Sequence, residues 1–248
     1  MHALQVTEVS KSFGGVQAVK SVSLSIPIGE KRALIGPNGA GKTTFFNTIT
    51  GELKNDSGKI EIFGTDITTK TVQERARLGL GRTYQISQLF FHLTVEENLF
   101  LAAAANKRLE FRFLRPWRRH TEERDWVHQV AEQVRLAENL NTEVAELSHG
   151  QQRQLEVGMA IALRPRLIML DEPAAGLSPS ERVVLTDLIK ELPQDVTLVL
   201  IEHDMDIVLN IADRITVLHR GAVITEGTPE EIRANEEVQQ VYLGSVYA

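Results

Sequence analysis

Residues 36–43 combine three glycines with a lysine and a threonine in an order suited to holding phosphate, and they precede a segment of helical character at 44–50. The glycines leave backbone N–H groups free to turn inward around an anion, and the N-terminus of a following helix favours the same negative charge. Lys42 adds a positive charge for the β- and γ-phosphates, and the Thr43 hydroxyl is a ligand for Mg²⁺. We predict a nucleoside triphosphate site here, named the phosphate loop below, with contacts from Gly36, Pro37, Asn38, Gly39, Ala40, Gly41, Lys42, Thr43 and Thr44.

The acidic pair Asp171 and Glu172 ends an apolar run at 167–170. Such a run is typical of a central parallel strand, and ligands of open α/β sheets bind beyond the carboxyl ends of these strands. We predict that Asp171 holds Mg²⁺ and that Glu172 polarises a water for attack on the γ-phosphate. The alternative for the acidic pair is a strand that merely ends at the surface in charged residues. The alternative for the phosphate loop is an ordinary glycine-rich turn. Because the phosphate loop and the acidic pair occur in the same chain, we favour a nucleotide site over these alternatives.

Two further segments gain meaning only from their order along the chain. The residues at 147–152 are Leu-Ser-His-Gly-Gln-Gln, and they precede a helix for which Ser148 is a suitable N-cap. His203 follows the apolar stretch 197–201, where a single histidine is more often structural than catalytic. Taken alone, neither segment predicts a function.

The succession of phosphate loop, Leu-Ser-x-Gly-Gln segment, Asp-Glu strand and histidine resembles the ATPase subunits of ABC transporters over nearly the whole chain. The resemblance implies that His203 contacts the γ-phosphate and positions the attacking water, and that Lys42 and Glu172 act with it in catalysis. It implies that Gln85 senses Mg²⁺ and couples to a membrane partner, and that Phe13 stacks on adenine. An exposed loop aromatic that packs locally is the alternative for Phe13. The segment 147–151, called the signature below, is then expected to contact nucleotide through Ser148, Gly150 and Gln151.

The chain departs from the family pattern at two positions. His149 stands where the signature usually has its first glycine, and Ser178 stands where many members have aspartate after the acidic pair. A Cβ at position 149 needs room if the backbone must approach a phosphate, and Ser178 carries no charge. The second glycine of the signature, Gly150, is retained, whereas a water network between subunits that is built on the aspartate is put in question.

The elements that must position these residues follow from hydrophobic periodicity. We predict an α/β fold: a RecA-like P-loop NTPase core with an N-terminal antiparallel β subdomain and an inserted helical subdomain, as in the ABC ATPase fold. Residues 1–248 then form one domain, with the β subdomain and core at 1–87 and 164–248 and the helical subdomain at 88–163. The predicted strands are 4–9, 21–35, 59–63, 167–171, 196–201, 214–219 and 222–226, and the predicted helices are 71–80, one from 94 through the alanines at 102–105, 122–139, 151–163, 179–192, 204–212 and the C-terminal tail.

Composition limits where the chain acts. The formal net charge of −6 disfavours a nucleic-acid partner, and the absence of cysteine is compatible with a reducing compartment. The sequence shows neither a signal peptide pattern nor an apolar stretch long enough to span a bilayer. We therefore expect a cytoplasmic chain that is peripheral on the inner face of the cell membrane. The basic, aromatic segment 107–120 leaves three interpretations open: a solvated loop, a contact with membrane or membrane subunit, or, least favoured, nucleic-acid binding.

The resemblance extends to a subgroup, the ATPases of branched-chain amino acid importers, through residues 11–18, 81–85, 171–177 and 241–244. It implies ATP and Mg²⁺ as ligands, a second ATPase subunit that is identical or different, polytopic permease subunits, and a periplasmic or extracellular binding protein. Urea uptake and lipopolysaccharide export are alternative cargoes. A non-transport ABC ATPase and a small-molecule kinase are rival functions, but a kinase does not account for the signature or His203.

Overall fold

The computed structural model describes residues 1–83, 89–105 and 121–244, with only the backbone described from 242 onward. The chain begins with an antiparallel sheet in the order β2-β1-β4-β5. Apolar residues alternate along its long strands, so that one face is buried. Its strands are β1 (His2–Phe13), β2 (Val16–Pro27), β4 (Ser57–Ile62) and β5 (Thr65–Asp66).

The single strand predicted at 21–35 is wrong, because a turn at Gly29 divides this stretch into β2 and β3 (Lys31–Ile35). Gly29 has a φ of +82°, and its N–H donates to Thr197 Oγ1 at 2.9 Å. The turn moves the chain out of the antiparallel sheet and into the second sheet, so that β3 can lead into the phosphate loop. Hydrophobic alternation continues through the turn, which explains why periodicity alone missed it.

The second sheet has the order β10-β9-β3-β8-β7-β6 and is parallel except for β10. Its central strands are completely buried, as expected when helices cover both faces. The sequence prediction missed the short edge strand β6, which follows a helix shorter than the predicted 71–80. The remaining strands are β6 (Leu80–Arg82), β7 (Leu167–Asp171), β8 (Thr197–Ile201), β9 (Arg214–His219) and β10 (Ala222–Gly227).

The helices agree with the predicted order but differ at their ends. The helix predicted at 122–139 stops at Gln133, since Arg135 has a φ of +60° and residues 137–139 form a separate 3₁₀ turn. In the described ranges, none of the helices is long and apolar enough to cross a membrane. The helices are α1 (Lys42–Thr50), α2 (Val72–Arg77), α3 (Val95–Ala105), α4 (Thr121–Gln133), α5 (His149–Ala162), α6 (Pro179–Lys190), α7 (Met205–Ile211), α8 (Pro229–Ala234) and α9 (Glu236–Gly244).

Helices α3, α4 and α5 pack against one another through buried apolar side chains, among them Leu99, Val127, Val130 and Leu155. The first turn of α3 is fixed by Thr94 and Glu97, which bond reciprocally as a capping box. The predicted α/β architecture, with an antiparallel N-terminal sheet beside a mostly parallel one, is confirmed. The proposed division at residues 88 and 163 stays a prediction.

Candidate active site

The phosphate loop lies between the end of β3 and the start of α1, and its glycines are required by close neighbours. Gly36 has a φ of +153° and Gly41 a φ of +99°. A Cβ at either position would clash with a carbonyl oxygen, that of Leu218 or that of Ala18. The turn between β9 and β10 braces the loop from outside, since Gly221 N–H donates to Ala40 O at 2.9 Å. The loop is therefore held in one conformation by backbone on both sides.

The start of α1 is suited to an anion. Within the described residues, no side chain caps its N-terminus, whereas capping boxes close the starts of α2, α5, α6 and α8. The N–H groups of the first turn of α1 are thus left for a ligand, and the helix dipole favours negative charge there. The predicted phosphate contacts at 36–44 are brought together by this arrangement.

Lys42 folds back over the phosphate loop. Its Nζ donates to Gly36 O at 2.7 Å and to Pro37 O at 3.1 Å. Burial lowers the pKa of Lys42, while the carboxylates of Glu172 and Asp171 act in the opposite direction. The ammonium group is therefore hydrogen-bonded to backbone carbonyls and lies close enough to Glu172 and Asp171 to interact with their charges.

Asp171 is the last residue of β7, which lies between β6 and β8, and it pairs with Ile201 of β8. Its side chain is 3% exposed, and its Oδ1 is buried with no hydrogen-bond partner among the described residues. Burial and then the nearby charge of Glu172 raise the pKa of Asp171 to about 6. A buried carboxylate oxygen without a hydrogen-bond partner is the kind of ligand that fits Mg²⁺.

Glu172 occupies a strained turn at the end of β7. Its φ is +47°, a left-handed conformation that costs a residue with a side chain roughly 1–3 kcal/mol. The turn is held by Glu172 N–H, which donates to Ile201 O at 2.9 Å, and by Ala175 N–H, which donates to Glu172 O at 3.1 Å. His203 follows the neighbouring strand β8, and its Nδ1 lies 3.9 Å from Glu172 Oε1. The predicted carboxylate and histidine are thus neighbours at one edge of the sheet.

Glu202 was missed by sequence reasoning, although it lies between a buried strand and the candidate histidine. It is 1% exposed, and burial raises its pKa. Its carboxylate accepts the N–H of Ala174 and the N–H of His203, both at 3.1 Å. Glu202 therefore fixes the loop after Glu172 and the backbone of His203 relative to each other.

The signature lies on another part of the surface. Ser148 is the N-cap of α5 and forms a capping box with Gln151, as the sequence suggested for Ser148. Gln151 also donates to Asn139 Oδ1 at 3.4 Å, and Gly150 N–H donates to Glu181 Oε1 at 3.0 Å. These bonds run to the residues before α5 and to α6, while the phosphate loop makes its contacts with β2, with β9 and with the turn that follows β9.

Phe13 lies at the end of β1, next to the hairpin turn, and is 49% exposed. The same hairpin touches the phosphate loop through Ala18. Lys11 approaches the Phe13 ring at 5.6 Å and pairs with Asp56 at 2.8 Å, which orders the hairpin end. An exposed ring beside the loop is compatible with adenine stacking, which stays a prediction. Gln85 and the basic segment 107–120 lie outside the described residues.

The charge on Asp171 has a consequence for stability that can be measured. The pKa of Asp171 is higher in the folded state than in the unfolded state, so ionisation of this carboxyl group destabilises the fold. The free energy of unfolding therefore falls as the pH rises from about 4 to 6, and it does not fall further for this reason above that range. The nucleotide-free Asp171→Asn variant should therefore be more stable than wild type at pH 7.5, by on the order of 2 kcal/mol, with the gain shrinking toward pH 4.5.

Thermal unfolding without nucleotide at pH 4.5 and 7.5 checks this expectation, with Asp195→Asn as the control at an exposed carboxylate. A Tm for Asp171→Asn at or below that of wild type at pH 7.5 would show that the buried charge of Asp171 does not destabilise the fold.

Comparisons with known proteins agree with this geometry. A family model described as ABC transporter matches residues 19–175, and one described as branched-chain amino acid ATP-binding cassette transporter matches residues 222–248. The high-affinity branched-chain amino acid transport ATP-binding protein BraF of Pseudomonas aeruginosa is 41% identical over 248 residues, which cover 97% of each chain.

Solved structures give the same result for the fold. The ADP conformation of MJ1267, an ATP-binding cassette of an ABC transporter, matches with a TM-score of 0.87 and 33% identity over 98% of this chain and 99% of that one. The dimeric post-hydrolysis state of the ATP-binding cassette MJ0796, bound to ADP and Pi, matches with a TM-score of 0.78 and 25% identity over 91% and 98%. The chain therefore belongs to the ABC transporter family, among its branched-chain amino acid transport ATP-binding proteins, and it is an ATPase.

Proposed function

We propose that this chain hydrolyses ATP at the phosphate loop to power uptake of branched-chain amino acids through partner membrane subunits. The observation that carries the proposal is the convergence of Lys42, Asp171, Glu172 and His203 at the carboxyl ends of three adjacent parallel strands, β3, β8 and β7. The match to transport proteins of this cargo along almost the full chain supports the amino acid assignment.

Each side chain has a distinct task in hydrolysis. Lys42 exchanges its carbonyl partners for the β- and γ-phosphates, while the N–H groups of the loop and of α1 hold the remaining oxygens. Glu172 polarises the attacking water, and His203, 3.9 Å away, contacts the γ-phosphate and keeps that water in line. The strained turn at Glu172 and the brace from Glu202 keep this pair in place before nucleotide arrives.

Asp171 and Thr43 would hold Mg²⁺, with Gln85 as a further ligand. When bound, the ion neutralises charge on the phosphates. The described ranges contain no group of three or more acidic, histidine or cysteine side chains that could hold a metal. That finding fits a Mg²⁺ ion that takes most of its ligands from nucleotide and water.

The working unit contains two ATPase chains, identical or different. This chain has one phosphate loop and one signature, and its signature makes its contacts away from its own loop. We place the signature of one subunit against the γ-phosphate held by the other, where the N-terminus of α5 adds stabilisation. The dimeric MJ0796 structure with ADP and Pi supports such a pairing. ATP then joins the two chains, and hydrolysis lets them part.

A membrane subunit is proposed to dock beside α3, and a periplasmic or extracellular binding protein would deliver the cargo. A mostly apolar cleft of about 240 Å³ lies there, lined by Arg82, Leu89, Phe90 and Met159 among others. Phe90 and Phe91 are exposed, yet their loop is held by buried Asn98, which bonds Phe90 N–H at 2.9 Å and Phe90 O at 3.1 Å. Phe90 and Phe91 follow the segment that contains Gln85 in sequence, and their exposed apolar side chains support a peripheral position on the inner membrane face.

Uptake measurements in cells test the cargo. A strain that lacks this chain should regain uptake of radiolabelled leucine, isoleucine and valine with the wild-type chain, but at least tenfold less with Glu172→Gln. Glu231→Gln, a surface capping residue on α8, is the matched control and should behave as wild type. Restored urea uptake without any change in amino acid uptake would contradict the proposed cargo and favour the alternative.

A further inference from the structure

Glu181, in the first turn of α6, joins the start of that helix to the signature, which the proposed function assigns to nucleotide contact. Its Oε2 accepts the N–H of Ser178 at 2.9 Å and the hydroxyl of Ser178 at 2.7 Å. Its Oε1 accepts the N–H of Gly150, in the signature, at 3.0 Å. One carboxylate therefore caps α6 and, at the same time, holds the second residue of α5.

The Gly150 amide is the kind of group that a phosphate would need. It lies in the first turn of α5, where N–H groups lack helical partners and the dipole favours an anion. Gly150 is buried in this structure while Ser148 and His149 are exposed, and a Cβ at position 150 would clash with Glu181 Oε1. The carboxylate thus covers the amide and already supplies the negative charge.

The surroundings keep that carboxylate ionised. Hydrogen bonds from Ser178 and then from Gly150 lower the pKa of Glu181, and the nearby His149 acts in the same direction. His149 also lies over the loop that follows Glu172, since its Cε1 is 3.1 Å from the position a Cβ would take on Gly176. The two positions at which the chain departs from the family pattern, His149 and Ser178, thus both lie near Glu181.

We propose that Glu181 is a placeholder anion that occupies the Gly150 amide and must release it before the partner's γ-phosphate can bind. This inference rests on the proposed function, because it requires the signature to face a nucleotide held by a second subunit. One N–H cannot bond strongly to two acceptors, and a phosphate at hydrogen-bond distance from Gly150 would lie close to a like charge. Glu181 therefore raises the ATP concentration at which two subunits close.

A neutral replacement separates this role from simple helix capping. Glu181→Gln keeps the length and one acceptor oxygen but removes the charge that opposes the phosphate. Glu231→Gln is a closely matched control, since Glu231 forms the same capping box with Thr228 ahead of a proline, on α8. Both variants should be made in the full chain carrying Glu172→Gln, so that hydrolysis does not dissolve the dimer.

ATP titrations followed by size-exclusion chromatography, with the chain alone and with its natural ATPase counterpart, give the result. We expect half-maximal dimer formation at five- to tenfold lower ATP for Glu181→Gln, and at an unchanged concentration, within twofold, for Glu231→Gln. An equal or higher ATP requirement for Glu181→Gln would overturn the placeholder role. If the Glu172→Gln parent itself forms no dimer with ATP in either setting, the proposed pairing fails, and this inference with it.

Amide hydrogen exchange tests the contact without nucleotide. Gly150 should exchange at least tenfold faster in Glu181→Ala than in wild type, because its N–H loses the carboxylate that covers it. Exchange at the same rate in both proteins would show that Glu181 does not hold the amide in solution.

Discussion

Replacing Glu172 with glutamine is expected to lower the rate of ATP hydrolysis by roughly 10²–10⁴-fold, the usual contribution of a general base, while ATP still binds. The carboxylate lies 3.9 Å from His203 Nδ1, at the end of a strand whose turn is strained in order to present it. Glutamine has the same size, and the loop, Lys42 and α1 are untouched. The variant should therefore bind ATP, keep the water poorly oriented and accumulate as a closed dimer.

Phosphate release measures the rate, equilibrium binding measures ATP affinity, and size-exclusion chromatography measures the dimer. Asp204→Asn is the control, because Asp204 also carries a carboxylate next to His203 in sequence but pairs with Arg182 at 2.8 Å. Its hydrolysis rate should stay within about threefold of wild type, because the ion pair is partly exposed to solvent and contributes little. Hydrolysis by Glu172→Gln at the wild-type rate would remove Glu172 from the chemistry and leave His203 as the remaining candidate.

The parts of the site that the sequence predicts are those written in contiguous residues. The phosphate loop needs a strand, a glycine-rich turn and a helix in immediate succession, so its local order determines its shape. The Asp171-Glu172 pair was likewise predictable, because the apolar run before it had to be a central strand. In the structure, the phosphate loop follows the carboxyl end of β3 and the acidic pair lies at the carboxyl end of β7, in the same sheet, as predicted.

The residues that sequence reasoning missed act across long separations in the chain. Glu202 bonds Ala174 at a separation of 28 residues, and Glu181 bonds Gly150 at a separation of 31. Neither glutamate stands in a motif of its own, and a helix cap gives a complete local explanation for Glu181. Only the packing of α6 beside α5 brings its second oxygen to the signature.

Errors in the element boundaries have a similar origin. The stretch 21–35 keeps its hydrophobic alternation through the turn at Gly29, so periodicity predicted one strand where the chain changes sheets. The strand β6 is only three residues long and pairs on one side with β7. Its position depends on a partner more than 80 residues later in the sequence, which a local pattern does not contain.

The two sides of the proposed dimer site are both held by hydrogen bonds within the chain. The phosphate loop keeps its cation against its own carbonyls, through Lys42. The signature keeps its amide against its own carboxylate, through Glu181. The two donors, the Lys42 ammonium and the Gly150 N–H, therefore each have an internal oxygen acceptor that a phosphate would replace, which makes nucleotide binding an exchange of partners.

Lys42→Met should weaken ATP binding by about 100-fold, the counterpart of about 3 kcal/mol from charge-assisted bonds to the β- and γ-phosphates. Methionine matches the length of the stem, so the loop keeps its packing while two buried carbonyls lose their donor. Lys31→Met is a suitable control, because Lys31 is also a half-buried lysine bonded to a backbone carbonyl, that of Lys190 at 2.7 Å. It lies at the opposite end of β3 from the loop. Fluorescent ATP titrations should give an unchanged affinity for Lys31→Met. An affinity for Lys42→Met within threefold of wild type would mean that the loop N–H groups and α1 bind the phosphates without this cation. The proposal that Lys42 exchanges its carbonyl partners for phosphates would then be wrong.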